Sequence, residues 1–185
     1  MSKLIQWNVI TLDGFFEGAK SWELDWMHFG FNAELEDFSI EQLRSAGMLL
    51  FGRVTYEGMA AYWQTAKGTV AEFMNSLPKT VFSRTMERAD WANTKLVKDD
   101  PVGAVRELKK QVKGNIFVFG SGKLCAALLE AGLFDEVRLA LAPLVLGRGA
   151  TLFGRGPGRA KMKQLEARPL SNGYVILRYE PLGNR

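Results

Sequence analysis

Three segments of this chain place a glycine or serine beside a cation at the end of an apolar run: Met48-Leu49-Leu50-Phe51-Gly52-Arg53-Val54-Thr55, Thr80-Val81-Phe82-Ser83-Arg84-Thr85 and Ile116-Phe117-Val118-Phe119-Gly120-Ser121-Gly122-Lys123. A residue without a Cβ lets backbone N–H groups approach a ligand closely, and a neighbouring cation neutralises phosphate oxygens. Each short apolar run reads as a strand buried on both faces, so the polar residues after it fall at the carboxyl edge of a sheet, where open α/β sheets bind nucleotides. Helical patterns follow two of the three runs, and the free N–H groups of a helix start reinforce such a site. Three such ends in one small unit imply an extended, multiply phosphorylated ligand.

The elements that must position these ends are legible along the chain. Residues 3–12 form an apolar run rich in β-branched residues that Asp13-Gly14 ends as a turn. Phe15 to Phe31 is aromatic and acidic without clean periodicity, which reads as a long loop of the kind that carries function. Spacing through Leu35, Phe38, Leu43 and Ala46 predicts a helix closed by Gly47. Further helices are expected over Thr55–Tyr62, Val70–Leu77, Asp100–Val112 (with Asp100 as N-cap and Pro101 at the first position) and Lys123–Ala131. A short strand is expected at Lys95–Val97. Glu136–Ala142, Met162–Arg168 and Tyr174–Tyr179 read as strands, the last two joined by a hairpin turn at Ser171-Asn172-Gly173. Strands that alternate with helices and then give way to strands alone predict a mostly parallel sheet with antiparallel edge strands.

With 185 residues, 47% hydrophobic and 24% charged, the chain suits one well-packed domain spanning 1–185. No apolar stretch approaches a membrane span, and Met1-Ser2-Lys3 runs straight into a strand pattern without a signal-peptide layout, so a cytoplasmic protein is expected. The single cysteine, Cys125, excludes an internal disulfide and reads as a small buried helical residue. The single histidine, His28, excludes a site built on several imidazoles, and in its aromatic loop it is either a packing residue or an acid. A net charge of +4 favours anionic partners. The Gly154-Arg155-Gly156-Pro157-Gly158-Arg159 stretch lacks the interleaved aromatics of a single-strand binder, and neither nucleic acid nor membrane is expected as a partner.

Taken in order, Asp-Gly-Phe after the first strand, Gly52-Arg53-x-Thr55-Tyr56-Glu57, Ser83-Arg84-Thr85, Phe119-Gly120-Ser121-Gly122 and Pro143-x-Val145-Leu146-Gly147-x-Gly149-x-x-Leu152-Phe153 resemble the dihydrofolate reductase superfamily. The likeness is to the branch similar to the reductase domain, the carboxyl-terminal domain, of the bacterial riboflavin biosynthesis protein RibD, and it runs from Lys3 to Tyr179. The resemblance implies a three-layer α/β/α sandwich of dihydrofolate reductase type and NADPH as cofactor. It implies that Gly52, Arg53 and Thr55 hold the adenosine phosphates and pyrophosphate, that Ser83 and Arg84 receive the ribose 2′-phosphate, and that Gly120, Ser121, Gly122 and Lys123 form the turn beneath the pyrophosphate. Val9 and Phe16 fall where the family's nicotinamide packs. Counting back from Gly52, Glu36 corresponds to the proton-supplying carboxylate of the folate-reducing branch, with Asp37 beside it.

Each feature also has a plainer reading. The Gly120-Ser121-Gly122 turn alone serves strand-to-helix geometry, and Arg53 and Arg84 alone are solvated charges. Trp22, Trp26 and Trp63 either stack on a flat heterocyclic substrate or fill the core. Glu36 is either an acid at the site or part of an acidic helix start favoured by the macrodipole. The expected function is an NADPH-dependent reductase resembling 5-amino-6-(5-phosphoribosylamino)uracil reductase, passing hydride to a heterocyclic or ribosylamine small-molecule substrate. The alternatives are a dihydrofolate or pterin reductase and a non-catalytic NADPH-binding protein. No metal is expected. The apolar strands from Arg138 to Leu146 offer a contact for a homodimer.

Overall fold

The computed structural model describes residues 2–28, 30, 32–153 and 158–183, and the 154–157 part of the basic glycine stretch lies outside the described residues, as does the side chain of His28. The first apolar run forms β1 (Leu4–Thr11), followed by β3 (Ala46–Gly52), β4 (Lys79–Phe82), β5 (Thr94–Val97), β6 (Asn115–Phe119) and β7 (Glu136–Ala142). Two long carboxyl-terminal strands, β9 (Lys161–Pro169) and β10 (Val175–Leu182), complete an eight-stranded sheet in the order β5-β4-β3-β6-β1-β7-β10-β9. The pairs from β5 to β7 are parallel, and β10 pairs antiparallel with both β7 and β9. A separate ribbon joins β2 (Phe15–Glu17) to β8 (Ala150–Thr151).

Successive apolar residues of the central strands face opposite sides, which is why their runs show no polar alternation. Leu49 and Phe117 join one core while their neighbours Leu50 and Val118 join the other. The first core is closed by α1 (Ala33–Arg44), α2 (Arg53–Trp63) and α3 (Thr69–Ser76), and the second by α4 (Pro101–Gln111) and α5 (Gly122–Glu130). Three layers result, as the resemblance implies. Among the described residues no helix is long and apolar enough to cross a membrane.

The helix starts differ, α3 having no side-chain cap but Glu72 in its first turn. Asn32 Oδ1 accepts the Leu35 N–H at 3.1 Å to cap α1, and Asp100 Oδ1 accepts the Gly103 N–H at 2.8 Å to cap α4 behind Pro101. By contrast, α2 and α5 start from Gly52 and Ser121 with no side-chain cap and no acid in the first turn.

Three expectations are corrected. The first helix ends at Arg44, and Ala46 and Gly47 already belong to β3. Gly47 is there for contact: a Cβ on it would stand 1.9 Å from the Lys113 carbonyl oxygen. The stretch read as one long loop contains β2 and a 3₁₀ turn at Asp25–His28, and that turn drives Trp26 into the core at 4% exposure. Asp13 does more than make a turn, since its carboxylate accepts the Thr11 hydroxyl at 2.6 Å and the Leu146 and Gly147 amides at 3.2 and 2.7 Å. The turn after β1 is thereby tied to the loop after β7.

Candidate active site

The strand ends that carry the glycines and serine are neighbours. Gly52 lies opposite Phe82, and Leu50 opposite Val118, so Gly52, Ser83 and Gly120 follow one another along adjacent carboxyl ends. The ends are also bonded together. The Ser121 hydroxyl accepts the Gly52 N–H at 2.9 Å and donates to the Phe119 carbonyl at 2.8 Å. The Ser121 N–H donates to Thr55 Oγ1 at 2.9 Å, and the Gly120 N–H donates to Asn8 Oδ1 at 2.7 Å. Gly120 and Ser121 both have left-handed backbones, with φ of 50° and 57°. A Cβ on Gly120 would meet Thr55 at 3.0 Å, so glycine is needed both for the turn and for the approach of α2.

These residues open on a single cleft of about 1690 Å³. Of the residues singled out from sequence, Val9, Phe16, Glu36, Gly52, Arg53, Thr55, Ser83, Arg84, Gly120, Ser121, Gly122, Lys123, Trp22 and Trp63 all line it. Trp26 does not, because it is part of the core against α1. Arg53 pairs with Glu57 one helical turn on at 3.0 Å, while Arg84 and Lys123 extend exposed at the lip. Ser83 Oγ accepts the amides of Thr85 and Met86 at 3.2 and 3.1 Å and so shapes the loop after β4. The hydroxyls of Ser121 and Thr55 are likewise engaged with protein, so what this corner presents to a ligand is the uncapped first turn of α5 and of α2.

Sequence reasoning missed Asn8. It is 7% exposed, lines the cleft, and holds Gly120 through Oδ1, while its Nδ2 is buried without a partner among the described residues. The signal was present as two amides, Gln6 and Asn8, interrupting the apolar run of β1. Also unforeseen was the β2–β8 ribbon, which sets Phe16 over Gly122: a Cβ on Gly122 would lie 3.1 Å from the Leu152 carbonyl and 3.8 Å from the Phe16 ring.

The donor set fits a phosphorylated dinucleotide. Two uncapped helix starts, two glycines at which a Cβ would crowd Thr55 and the Leu152 carbonyl, Arg53, Arg84 and Lys123 line one lip. Among the described residues no cluster of His, Cys, Asp or Glu is suited to a metal ion.

Residues 2–176 match the family described as the RibD C-terminal domain. The chain belongs to that family. The uncharacterized protein YyaP of Bacillus subtilis strain 168 is 31% identical over 175 residues, covering 92% of this chain and 90% of its own. Among solved structures, a Shewanella sp. PV-4 protein assigned by name to riboflavin biosynthesis superposes with a TM-score of 0.81 at 22% identity, over 98% of this chain and 99% of that one. The Thermotoga maritima diaminohydroxyphosphoribosylaminopyrimidine deaminase/5-amino-6-(5-phosphoribosylamino)uracil reductase gives 0.72 at 14% identity, over 98% of this chain and 57% of that one. Dihydrofolate reductase from Enterococcus faecalis, complexed with NADP(H), gives 0.66 at 14% identity over 97% and 96% of the two chains. The fold of this RibD C-terminal domain protein is therefore dihydrofolate reductase-like.

Proposed function

We propose that this chain is, as one domain, an NADPH-dependent reductase of a small heterocyclic or ribosylamino substrate. The observation that carries the reading is the convergence of Gly52, Ser83 and Gly120 on one lip, beside two helix starts that have neither a side-chain cap nor an acid in the first turn. Membership of the RibD C-terminal domain family supports it, as does the NADP(H) of the Enterococcus faecalis enzyme that shares the fold.

The roles follow from position. Backbone N–H groups at the starts of α2 and α5 bind the pyrophosphate, with Lys123 adding charge. Ser83 and Arg84 hold the ribose 2′-phosphate, joined by Arg53, whose Glu57 partner sits half exposed and yields readily. Val9 and Phe16 pack the nicotinamide. When bound there, NADPH supplies a hydride, with its two electrons, to an electrophilic carbon of the substrate. Glu36, exposed on the first turn of α1 and lining the same cleft, exchanges the proton needed by the adjacent heteroatom. The placement of Glu36 is also what favours a second reading, a pterin reductase.

The test is the affinity of NADPH and NADH for the wild type and for Arg84→Ala. Loss of a charged phosphate contact costs about 1.5–3 kcal/mol for NADPH alone. Equal weak binding of both cofactors, before and after the change, would end the cofactor reading.

We further propose that two copies pair across the face of β7 and β10 that no helix covers. Leu139, Leu141, Val175 and Leu177 lie on that face half-buried and belong to neither core. Sedimentation of the wild type at dimer mass, and of Leu177→Asp at monomer mass, is the expected result.

A further inference from the structure

The cleft is not uniform in charge. Along the strand ends and α5 it is lined by the cations Arg53, Arg84, Lys98 and Lys123, with the acids Asp99, Asp100 and Glu130 beside them, and Asp100 is engaged in capping α4. The remainder, between α1, α2 and the segment from Trp22 to Met27, is walled by large apolar side chains, and its charged groups among the described residues are Glu17, Glu36 and Lys67. Lys67 is exposed beyond the end of α2. Glu17 is already engaged, because its carboxylate accepts the Trp22 N–H. Glu36 is the remaining carboxylate lining this half among the described residues.

Trp22 is held there at a conformational cost. Its backbone is left-handed, with φ of 65°, an outlier for a bulky residue. Its ring lies flat enough against α2 that a Cβ on Gly58 would stand 2.3 Å from ring atoms. A glycine in the middle of a helix and a tryptophan in a strained backbone are each unfavourable in isolation, and together they produce one thing, a broad aromatic surface on the cleft wall. A phosphate ester needs cations or free N–H groups, and against the four cations of the strand ends this half offers mainly rings and a carboxylate, with Lys67 as its one cation among the described residues.

We propose that the substrate is a planar, unphosphorylated nitrogen heterocycle that stacks on Trp22 and turns its N–H or amino groups toward Glu36. The proposal rests on the reductase reading and narrows it, since it sets aside a phosphoribosylamino substrate. Gly58 acts as a positioning residue, through Trp22.

The experiment uses the full chain saturated with NADP⁺, whose binding is first measured by itself. Failure of NADP⁺ to bind overturns the reductase reading together with this proposal. With NADP⁺ bound, tryptophan fluorescence is titrated with riboflavin, riboflavin 5′-phosphate and 7,8-dihydropterin. The expected result is saturable quenching by at least one unphosphorylated ring, with riboflavin at least tenfold tighter than its 5′-phosphate. Preference for the phosphate ester, or no binding of either unphosphorylated ring, overturns this proposal and leaves the cofactor reading standing. Gly58→Ala should weaken the bound ring at least tenfold without moving NADP⁺ affinity, and Trp22→Leu, which leaves α2 untouched, should do the same. Ring affinity unchanged in Trp22→Leu overturns the proposal.

Discussion

Ser121 and Gly52 are joined directly, the serine hydroxyl accepting the glycine N–H at 2.9 Å, so the end of β3 and the start of α5 move as one piece. Ser121→Ala removes the acceptor of the Gly52 N–H and the hydroxyl donor to the Phe119 carbonyl, both part-buried. We expect a loss of about 1–2 kcal/mol in denaturant unfolding and roughly tenfold weaker NADPH binding by fluorescence titration. Ser121→Gly, which suits the left-handed backbone, should show the same affinity loss with a smaller loss of stability. Full NADPH affinity in both variants would mean that the hydroxyl has no part in shaping the site.

The β2–β8 ribbon depends on one glycine. Gly149 has φ of 156°, and a Cβ on it would stand 2.1 Å from the Glu17 carbonyl oxygen, a backbone atom that cannot swing aside. Gly149→Ala should separate β8 from β2 and withdraw Phe16 from the cleft. Hydrogen exchange of the Phe15–Glu17 amides should speed up markedly, with the eight-stranded sheet unaffected. Unchanged protection there would contradict the packing described.

Lys79 is 1% exposed, and its ammonium donates to the carbonyls of Met74, Asn75 and Leu77 at 2.9, 3.1 and 2.7 Å, closing the end of α3 from below. It also stands 4.6 Å above the Trp91 ring. Burial pulls its pKa from 10.5 down to about 8. The unfolded chain therefore binds more protons than the folded one between those values, so stability rises with pH across that window and is flat below it with respect to this group. The gain expected between pH 8 and 10 is on the order of 1–3 kcal/mol, and it should vanish in Lys79→Met. Urea melts of both proteins at pH 7, 8, 9 and 10 provide the check.

Glu136 sits 2% exposed at the start of β7, bonded to Arg138 Nε at 2.8 Å and to Arg178 Nε at 2.5 Å across β10. Burial works to raise its pKa, but the two guanidinium groups outweigh burial and hold it below the ordinary value. The stabilising contribution is thus present above the unfolded pKa of a glutamate and disappears as pH falls through the lower folded value. Glu136→Gln leaves Arg138 without its carboxylate and Arg178 with Glu166 alone, and should cost about 3 kcal/mol at pH 7. The difference between the two proteins should shrink in acid, and a constant difference from pH 7 to pH 3 would refute the charge argument.

The three strand ends were readable because each is a local pattern, an apolar run stopped by a small residue and a cation, and strands buried on both faces write that pattern without help from elsewhere. Asp100-Pro101 and Ser171-Asn172-Gly173 were readable for the same reason, their geometry being fixed within a few residues. The misses are non-local. Gly47 looks like a helix terminator until Lys113, far along the chain, is placed against it. Trp22 and Trp26 are indistinguishable by type, and a single 3₁₀ turn sends one to the cleft wall and the other to the core. β2 and β8, three and two residues long, are too short to leave a periodicity. Asn8 reads as one polar interruption in a strand, and its task appears only when β6 brings Gly120 within 2.7 Å.

The single cysteine closes the floor of the Gly120-Ser121 turn: Cys125 is fully buried, its thiol donates to the Gly120 carbonyl at 3.2 Å, and burial pushes its pKa up. A thiol so placed is inert while the turn is shut. It is consequently an intrinsic clock for this corner, because an alkylating reagent reaches the sulfur during a breathing motion that parts α5 from Gly120 and the core, and the labelling rate then measures how often this packing comes apart.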